Sequence, residues 1–296
     1  MPEPTRFAFV VGTGRCGSTL VQEILARHRS VGFLSNLEDR TTLPLVPASL
    51  QSYLYRRLPP SSQQKGRLRF APSEGYRVLE RTVSPILATP CRDLLATDAT
   101  PWLTQRTQAF FQSRATRAGC PLFLHKFTGW PRAGFLGAAL PDSRFVHVVR
   151  DGRAVANSWL QMRWWLGYRG PERWQYGQLP EPYYQQWQDS GRSFVALAGI
   201  GWEMLTDAFE EARSAAKPGT WLDVRYEDIV AEPALQFRAI ADFLELEWDG
   251  DFAAQLARYR INLEPTVSYR QDLSPEHVEM LTSLLAEHLA RWGYCA

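Results

Sequence analysis

The sequence predicts an α/β fold in which a central parallel sheet is flanked by helices. Short apolar runs typical of buried strands alternate along the chain with stretches whose apolar residues recur at helical spacing. The first of these runs leads through a glycine-rich turn directly into a helix, as in sheets whose ligands bind at the carboxyl ends of the strands. With 296 residues the chain is near the size at which one core stops growing, so we expect a single domain over residues 1–296.

The first predicted strand is the apolar run RFAFVV, and the helix after it, STLVQEILARH, places Leu20, Ile24 and Leu25 on one face. The stretch between them, GTGRCGST, has the spacing of a phosphate-binding loop, with Gly12, four residues and then Gly17. Backbone N–H groups of such a turn point at phosphate oxygens at the helix N-terminus. The residues predicted to hold a phosphate are Gly14, Arg15, Cys16, Gly17, Ser18 and Thr19.

The loop departs from that of nucleotide triphosphatases at one position, because Ser18 stands where those enzymes have a lysine. Without the lysine the loop lacks its contact to β- and γ-phosphates, and Arg15 supplies a different cation. A phosphatase nucleophile at Cys16 would need an arginine six residues later, where Gln22 stands, so we predict a structural role for this cysteine. The alternative interpretation of the loop is a tight strand-to-helix turn without a ligand.

Further strands are predicted at residues 122–126 (LFLHK), 144–150 (RFVHVVR) and 220–226 (TWLDVRY), with the amphipathic stretch AGFLGAAL between the first two. A helix PALQFRAIADFL follows the last strand and has Pro233 at its first position. Ser274 is predicted to cap a final helix with Pro275 in its first turn. One side of that helix carries Val278, Leu281, Leu285 and Leu289.

A second candidate phosphate site lies in FVHVVRDGRAVANSW, residues 145–159. Arg150 falls at the carboxyl end of a predicted strand, Asp151 can cap the next helix, and Ser158 lies about two helical turns further on. An arginine fork and a hydroxyl are suited to clamp a phosphate. The alternative is a surface arginine beside a capping aspartate.

Two regions break the alternation of strands and helices. Residues 59–69, PPSSQQKGRLR, predict a mobile surface loop. Residues 159–192 are rich in aromatic residues among glycine and proline, without a clean period, and predict an insertion rather than a core element. Its rings are Trp159, Trp164, Trp165, Tyr168, Trp174, Tyr176, Tyr183, Tyr184 and Trp187.

Composition excludes several classes of function. The net charge of +2 gives no excess for general nucleic-acid or membrane binding, so a small partner is expected. The four cysteines form no C-x-x-C pair and no metal-ligand spacing with the five histidines, which predicts a reduced, cytoplasmic compartment and no metal site. The first apolar run is too short for a signal peptide or a membrane-spanning helix, and a soluble protein is expected. The sequence does not indicate an oligomeric state.

Together the motifs resemble the sulfotransferases that use 3'-phosphoadenosine 5'-phosphosulfate (PAPS). In that family a lysine-less loop, here GTGRCGST, holds the 5'-phosphosulfate, and a strand-end arginine with a serine eight residues on, matching Arg150 and Ser158, binds the 3'-phosphate. The segment 225–246, RYEDIVAEPALQFRAIADFLEL, is similar to a family segment whose tyrosine, matching Tyr226, lies near the adenine. The resemblance spans residues 9–246 and implies a P-loop NTPase-like sulfotransferase fold. It implies sulfuryl transfer from PAPS, without a metal, to a hydroxyl or amine of a small-molecule, sugar or lipid acceptor.

The resemblance also suggests roles for individual residues. Arg15 and Lys126, one of three lysines in the chain, are candidates for stabilising charge on the leaving group. Cytosolic members carry K-x-H on the strand before the 3'-phosphate strand, but here Thr128 takes the histidine position. The chain is closer to bacterial and carbohydrate-type members, in which a glutamate after the first helix often serves as the base. The candidates for the base are Glu38, then Asp39 and His125, and Arg270 is a weak counterpart of the C-terminal 3'-phosphate segment.

Two other functions remain open at this point. A small-molecule kinase with a degenerate loop would need magnesium and an acidic ligand, for which Asp223 is the nearest candidate. A non-enzymatic carbohydrate-binding module could use residues 159–192 as a stacking surface, but this leaves both phosphate motifs unexplained. For a sulfotransferase, we expect residues 159–192 to form a lid that walls the acceptor pocket, with packing of the insertion onto the domain as the alternative.

Overall fold

The computed structural model of the chain describes residues 5–41, 46–59, 70–261 and 264–294. Its strands are β1 Arg6–Gly12, β2 Val31–Phe33, β3 Leu122–Thr128, β4 Arg144–Val149 and β5 Trp221–Arg225. Its helices are α1 Ser18–Leu25, α2 Asn36–Arg40, α3 Ala48–Arg57, α4 Tyr76–Thr82, α5 Pro85–Ala88, α6 Pro101–Ala118, α7 Ala133–Ala139, α8 Gly152–Leu160, α9 Glu181–Asp189, α10 Phe194–Ala215, α11 Tyr226–Ala231, α12 Pro233–Phe243, α13 Gly250–Ala257, α14 Glu264–Val267, α15 Tyr269–Asp272, α16 Pro275–Leu284 and α17 Ala286–Arg291. Apart from Pro59, the loop predicted at 59–69 lies outside the described residues.

The five strands form one sheet in the order β2-β3-β1-β4-β5, and every neighbouring pair is parallel. The predicted α/β fold with a central parallel sheet is therefore confirmed, together with the four strands that the sequence indicated. The short strand β2 was not predicted. In the register of the sheet Gly12 at the end of β1 lies opposite Thr128 at the end of β3, so the loop after β1 and the end of β3 share one edge.

The core lies on both faces of the sheet. Phe9 and Val11 of β1 join a buried cluster with α6 and α7, whereas Ala8 and Val10 join another with α1 and α12. Successive side chains of a strand point to opposite faces, so a strand covered on both sides needs an unbroken apolar run. This requirement explains why RFAFVV shows no alternation of apolar and polar residues.

Several helix ends follow the local signals in the sequence. The side chain of Asp151 accepts a hydrogen bond from the N–H of Arg153 at the start of α8, and Ser274 accepts one from the N–H of His277 at the start of α16. Pro233 begins α12 as predicted. The prediction of a single final helix was wrong in one respect. Leu285, at φ −99° and ψ 9°, separates α16 from α17.

The 22-residue helix α10 was not predicted. Every residue from Val195 to Trp202 is buried, so this part of the helix is apolar all round and lacks the period of a surface helix. Its start is nevertheless conventional, since Ser193 accepts hydrogen bonds from the N–H groups of Val195 and Ala196. None of the helices in the described ranges combines the length and apolar character needed to cross a membrane.

The expectation that residues 159–192 form no part of the core was wrong. Trp159, Trp165, Trp174, Tyr176 and Trp187 are buried in a cluster with residues of α8 and α10. The rings come close to the α10 backbone because that helix carries a small residue there: a Cβ added at Gly201 would lie 2.9 Å from the Trp159 ring and 3.0 Å from the Trp174 ring. The lack of a clean period in this segment reflects packing between helices instead of exposure.

A charged network joins α17 to α10. His288 Nε2 lies 2.7 Å from Asp207 Oδ1, and His288 Nδ1 lies 3.6 Å from Glu203 Oε1. Burial opposes protonation of the ring, but the hydrogen bond with Asp207 and the two carboxylate charges outweigh burial and the nearby Arg291, so the pKa of His288 is raised.

We expect this network to make stability depend on pH. A group whose pKa is higher in the folded state stabilises fully below its unfolded value, about 6.5 for histidine, and loses that contribution as pH rises through the folded value. The free energy of unfolding of the wild type should therefore exceed that of His288→Gln most at about pH 6 and less at about pH 9. Urea titrations of both proteins measure this, and a difference that stays constant with pH would contradict the expectation.

Candidate functional site

A cavity of about 410 Å³ opens at the carboxyl ends of β1 and β3. In a parallel sheet this edge is where ligands bind. The loop after β1 contributes Thr13, Gly14, Arg15, Ser18 and Thr19. The other walls are formed by Glu74, Tyr76, Ala88, Thr89, Pro90, Thr128, Gly129, Trp130, Arg132, Trp164, Gln175 and Tyr176.

The loop has the backbone of an anion-binding turn. Gly14, Arg15 and Gly17 have φ values of 84°, 58° and 96°, in the left-handed region that glycine adopts without strain. A side chain at Gly17 would also collide with Tyr226, since an added Cβ would lie 2.2 Å from that ring. The eight-residue helix α1 begins directly after Gly17, so its first N–H groups are available to an anion. Cys16 is fully buried.

The structure brings the second predicted phosphate site next to the loop. Arg15 Nε donates a hydrogen bond to Ser158 Oγ at 2.8 Å, and Arg150 Nη1 donates one to the backbone oxygen of Arg15 at 2.8 Å. The guanidinium carbon of Arg150 lies 4.9 Å from the centre of the Tyr226 ring. Burial and the charge of Arg150 lower the pKa of Arg15. Two guanidinium groups, a hydroxyl and an aromatic ring thus converge where an anion would relieve the repulsion between like charges.

Lys126 connects β3 to the loop. Its Nζ donates a hydrogen bond to Thr19 Oγ1 at 2.7 Å and lies 2.9 Å from Glu74 Oε1. Lys126 is only 3% exposed, so it is not a surface lysine that extends into solvent. Its ammonium is held beside the start of α1, where a negative charge on the loop would be closest.

The three predicted base candidates are not among the described residues that line the cavity. The carboxylate of Glu38 is buried in α2, where its Oε1 lies 3.8 Å from Nη2 of Arg117 in α6. Asp39 Oδ1 accepts a hydrogen bond from the N–H of Val78 in α4. Both acids are therefore engaged in contacts that hold helices together.

His125 is turned away from the site by the period of the strand. As the neighbour of Lys126 on β3 it faces the opposite side of the sheet. There it packs against Phe111 and Phe127, with ring centroids 5.3 Å and 4.7 Å away, and burial lowers its pKa to about 3. The ring of His125 is fully buried and is not among the described residues that line the cavity.

Sequence reasoning missed several polar residues of the cavity wall, among them Glu74, Tyr76 and Arg132. The Tyr76 hydroxyl accepts a hydrogen bond from the N–H of Thr128 at 3.1 Å. The buried Arg132 donates to the carbonyl oxygens of Leu87 and Ala88 and so fixes the wall formed by α5. Nothing in APSEGY, the stretch that holds Glu74, matches a motif, and its role becomes visible only through the contact with Lys126.

Two further residues that the sequence singled out, Arg270 and Asp223, are not among the described residues that line the cavity. Arg270 is exposed on α15, which packs against α8, and its Nε donates to the hydroxyl of Tyr269 at 3.3 Å. Asp223 is bound by the ring of His147 at 2.8 Å and by Arg213 at 2.9 Å; burial would raise its pKa, but these contacts lower it to about 2. The candidate magnesium ligand of the kinase alternative is therefore a partner of structural residues.

One group in the described part of the chain has the composition and spacing of a metal site, Glu203, Asp207 and His288. These residues form the network between α10 and α17 and do not line the cavity. The loop after β1, Arg15, Arg150 and Ser158 instead bring together hydrogen-bond donors of the kind that bind anions.

Comparisons with known proteins agree with this geometry. A model of the family described as "Sulfotransferase family" matches residues 8–250. The ω-hydroxy-β-dihydromenaquinone-9 sulfotransferase Stf3 of Mycobacterium bovis is 26% identical over 190 residues, which are 63% of this chain and 43% of that protein. The chain thus spans less than half the length of this curated relative.

Solved structures show the same fold. The sulfotransferase STF9 of Mycobacterium avium superimposes with a TM-score of 0.61 at 16% identity, covering 98% of this chain and 77% of that one. The sulfotransferase STF1 of Mycobacterium tuberculosis gives a TM-score of 0.57 at 16% identity, covering 96% and 77%. The family model matches residues 8–250, a range that includes the loop after β1, Arg150 and Tyr226, and this protein therefore belongs to the sulfotransferase family.

Proposed function

We propose that this protein transfers a sulfuryl group from PAPS to a hydroxyl or amine of a small-molecule, sugar or lipid acceptor. The observation that carries the proposal is the contact of Arg15 with both Ser158 and Arg150, each at 2.8 Å, beside a loop without a lysine. PAPS has anionic groups at its 5' and 3' positions, and the loop and the Arg150 site are two adjoining anion sites. A sulfonate in place of further phosphates removes the need for the missing lysine.

In this proposal the N–H groups from Gly14 to Thr19 hold the 5'-phosphosulfate at the start of α1. Arg150 and Ser158 bind the 3'-phosphate, and Tyr226 lies against the adenine. Arg270, exposed on the neighbouring α15, remains a weaker candidate for the 3'-phosphate.

The donor supplies a sulfonate carried on a phosphate leaving group. Negative charge develops on the bridging oxygen as the sulfur–oxygen bond breaks, and cations fixed nearby stabilise that transition state. Lys126, held at Thr19, and Arg15, inside the loop, are positioned to do this. In our proposal these two residues stabilise the transition state and no metal takes part in the transfer.

The walls of the cavity favour an acceptor with an apolar or flat face. Trp130, Trp164 and Tyr176 line it, and aromatic rings bind aryl groups and sugar faces. The relative Stf3 is named for a menaquinone acceptor, and a hydroxyl on an apolar carrier would suit these rings. Trp164, Gln175 and Tyr176 come from residues 159–192, which supports the proposed acceptor-side wall. Tyr176 and other rings of that segment also pack in the core.

Two tryptophans of this segment should respond differently to truncation. Trp164 is 44% exposed and lines the cavity, so Trp164→Ala should raise the Michaelis constant for the acceptor with little change in melting temperature. Trp174 is buried, and Trp174→Ala should cost about 3–5 kcal/mol of stability. Thermal melts and acceptor titrations of both variants test this. An unchanged Michaelis constant in Trp164→Ala would remove that residue from the acceptor site.

Ligand-induced stabilisation tests the proposed function against the alternatives. Adenosine 3',5'-bisphosphate at about one hundred times its dissociation constant should add about 2.7 kcal/mol of stability. Stabilisation by ATP with magnesium would favour the kinase, and stabilisation by sugars alone would favour the carbohydrate-binding module. Release of adenosine 3',5'-bisphosphate from PAPS should also persist in EDTA, and strict dependence on magnesium would contradict the proposal.

A further inference from the structure

Glu74 occupies a position in the cavity that no motif assigned. It lies between the Ser35–Pro72 bridge and α4, and its side chain is 35% exposed. Its Oε1 is 2.9 Å from Lys126 Nζ, the same nitrogen that donates to Thr19 Oγ1 at 2.7 Å. The carboxylate and the loop hydroxyl are therefore neighbours on either side of one ammonium group. Of the described residues that line the cavity, Glu74 is the one with a carboxylate.

We propose that Glu74 is the general base that accepts the proton of the acceptor hydroxyl, an inference that rests on the proposed sulfuryl transfer. The acceptor oxygen forms a bond to sulfur while the bond from sulfur to the bridging oxygen breaks. The electron pair of the broken bond stays on the phosphate of adenosine 3',5'-bisphosphate. The proton of the hydroxyl passes to the Glu74 carboxylate and then to solvent, so atoms and charge balance.

The geometry favours Glu74 over the other polar groups of the wall. A base must come within hydrogen-bond reach of the proton it removes, and Glu74 lies beside the loop that holds the sulfonate and is partly exposed in the same cavity. The Tyr76 hydroxyl already accepts the N–H of Thr128, and Arg132 is an obligate cation that donates to carbonyl oxygens. Glu38 is buried against Arg117, outside the cavity lining.

The ion pair with Lys126 raises a competing interpretation, in which Glu74 only positions that lysine. The two roles differ in their dependence on the acceptor. A base is needed when the acceptor must lose a proton, as an alcohol or water does. An acceptor that is already ionised, such as 4-nitrophenolate at alkaline pH, needs no base but still needs the cation at the leaving group.

The experiment compares Glu74→Gln with the wild type and with Glu38→Gln, which removes the rival base. Glu80→Gln is the matched control, because Glu80 is an exposed glutamate of α4, the helix that begins shortly after Glu74. Calorimetry measures the affinity of each for adenosine 3',5'-bisphosphate. Turnover at saturating PAPS is then measured with 4-nitrobenzyl alcohol, with 4-nitrophenolate and with water as acceptor. Glutamine is close to glutamate in size, so the fold should be retained.

We expect Glu74→Gln to bind adenosine 3',5'-bisphosphate within about threefold of the wild type and to lose about 10²-fold or more in turnover with the alcohol and with water. Turnover with 4-nitrophenolate should change only a few-fold. Equal losses with all acceptors would show a positioning role and overturn the proposal. Near-normal turnover, a loss confined to Glu38→Gln, or lost nucleotide affinity would also overturn it. A wild type that releases no nucleotide from PAPS with any acceptor would instead refute the proposed function, and the base assignment with it.

Discussion

Lys126→Met should lower turnover at saturating donor by about 10²–10³-fold, the usual effect of removing one preorganised group that stabilises developing negative charge. The ammonium is nearly buried and fixed between Thr19 Oγ1 and Glu74 Oε1, so it needs no rearrangement when charge develops beside the loop. Methionine preserves most of the length of the side chain and removes the charge. Single-turnover kinetics with excess enzyme isolate the transfer step from product release.

Lys217→Met is the control for this change. Lys217 is exposed and pairs with Asp142 at the surface, so the same substitution there should leave turnover unchanged. Because Glu74 loses its partner in Lys126→Met, a melting temperature should be recorded for both variants. Turnover of Lys126→Met within a few-fold of the wild type would rule out the leaving-group role of this lysine.

Arg150→Ala should weaken binding of adenosine 3',5'-bisphosphate by about 10- to 100-fold, since a hydrogen bond to a charged group contributes about 1.5–3 kcal/mol. Arg150 directly follows β4, donates a hydrogen bond to the backbone oxygen of Arg15 and lies over the Tyr226 ring. The lost affinity should be specific for the 3'-phosphate. Adenosine 5'-monophosphate, which lacks that group, should bind wild type and variant with nearly equal affinity.

Arg144→Ala provides a matched control on the same strand. Arg144 begins β4 at the opposite end of the sheet, where it pairs with Glu245, and its loss should leave nucleotide affinity unchanged. Calorimetric titration of the three proteins with both nucleotides measures these effects. If Arg150→Ala lost affinity for the two nucleotides equally, the arginine would bind some other part of the donor.

The loop shows what a short stretch of sequence can predict. Its glycines are needed by the backbone of the turn itself, as the φ of 96° at Gly17 demonstrates, and such requirements act within a few residues. The strand before the loop and the helix after it obey local rules as well. The spacing of Arg150, Asp151 and Ser158 was informative for the same reason, because a strand end, a helix cap and two helical turns fix their relative positions.

Which acid lines the cavity could not be predicted in this way. The position of Glu38 after the first helix predicts a carboxylate at the site, but α2 turns this carboxylate toward α6. Glu74 reaches the cavity because the chain returns to the sheet edge through the Ser35–Pro72 bridge before α4 begins. Its contact with Lys126 joins segments that are far apart in the chain. Neither a hydrophobic period nor a short motif predicts such a contact.

The sequence by itself determined the parallel α/β architecture, the strand-loop-helix turn and the placement of Arg150, Asp151 and Ser158 around the start of α8. Each of these depends on backbone geometry and on periods within one or two elements. Only the tertiary structure decided that the rings of residues 159–192 are divided between the core and the cavity wall. It likewise decided which acid faces the cavity, with Glu74 beside Lys126 and Glu38 against Arg117. The physical reason is that burial and ion pairing between distant segments depend on how complete helices pack, and the same local sequence is compatible with either outcome.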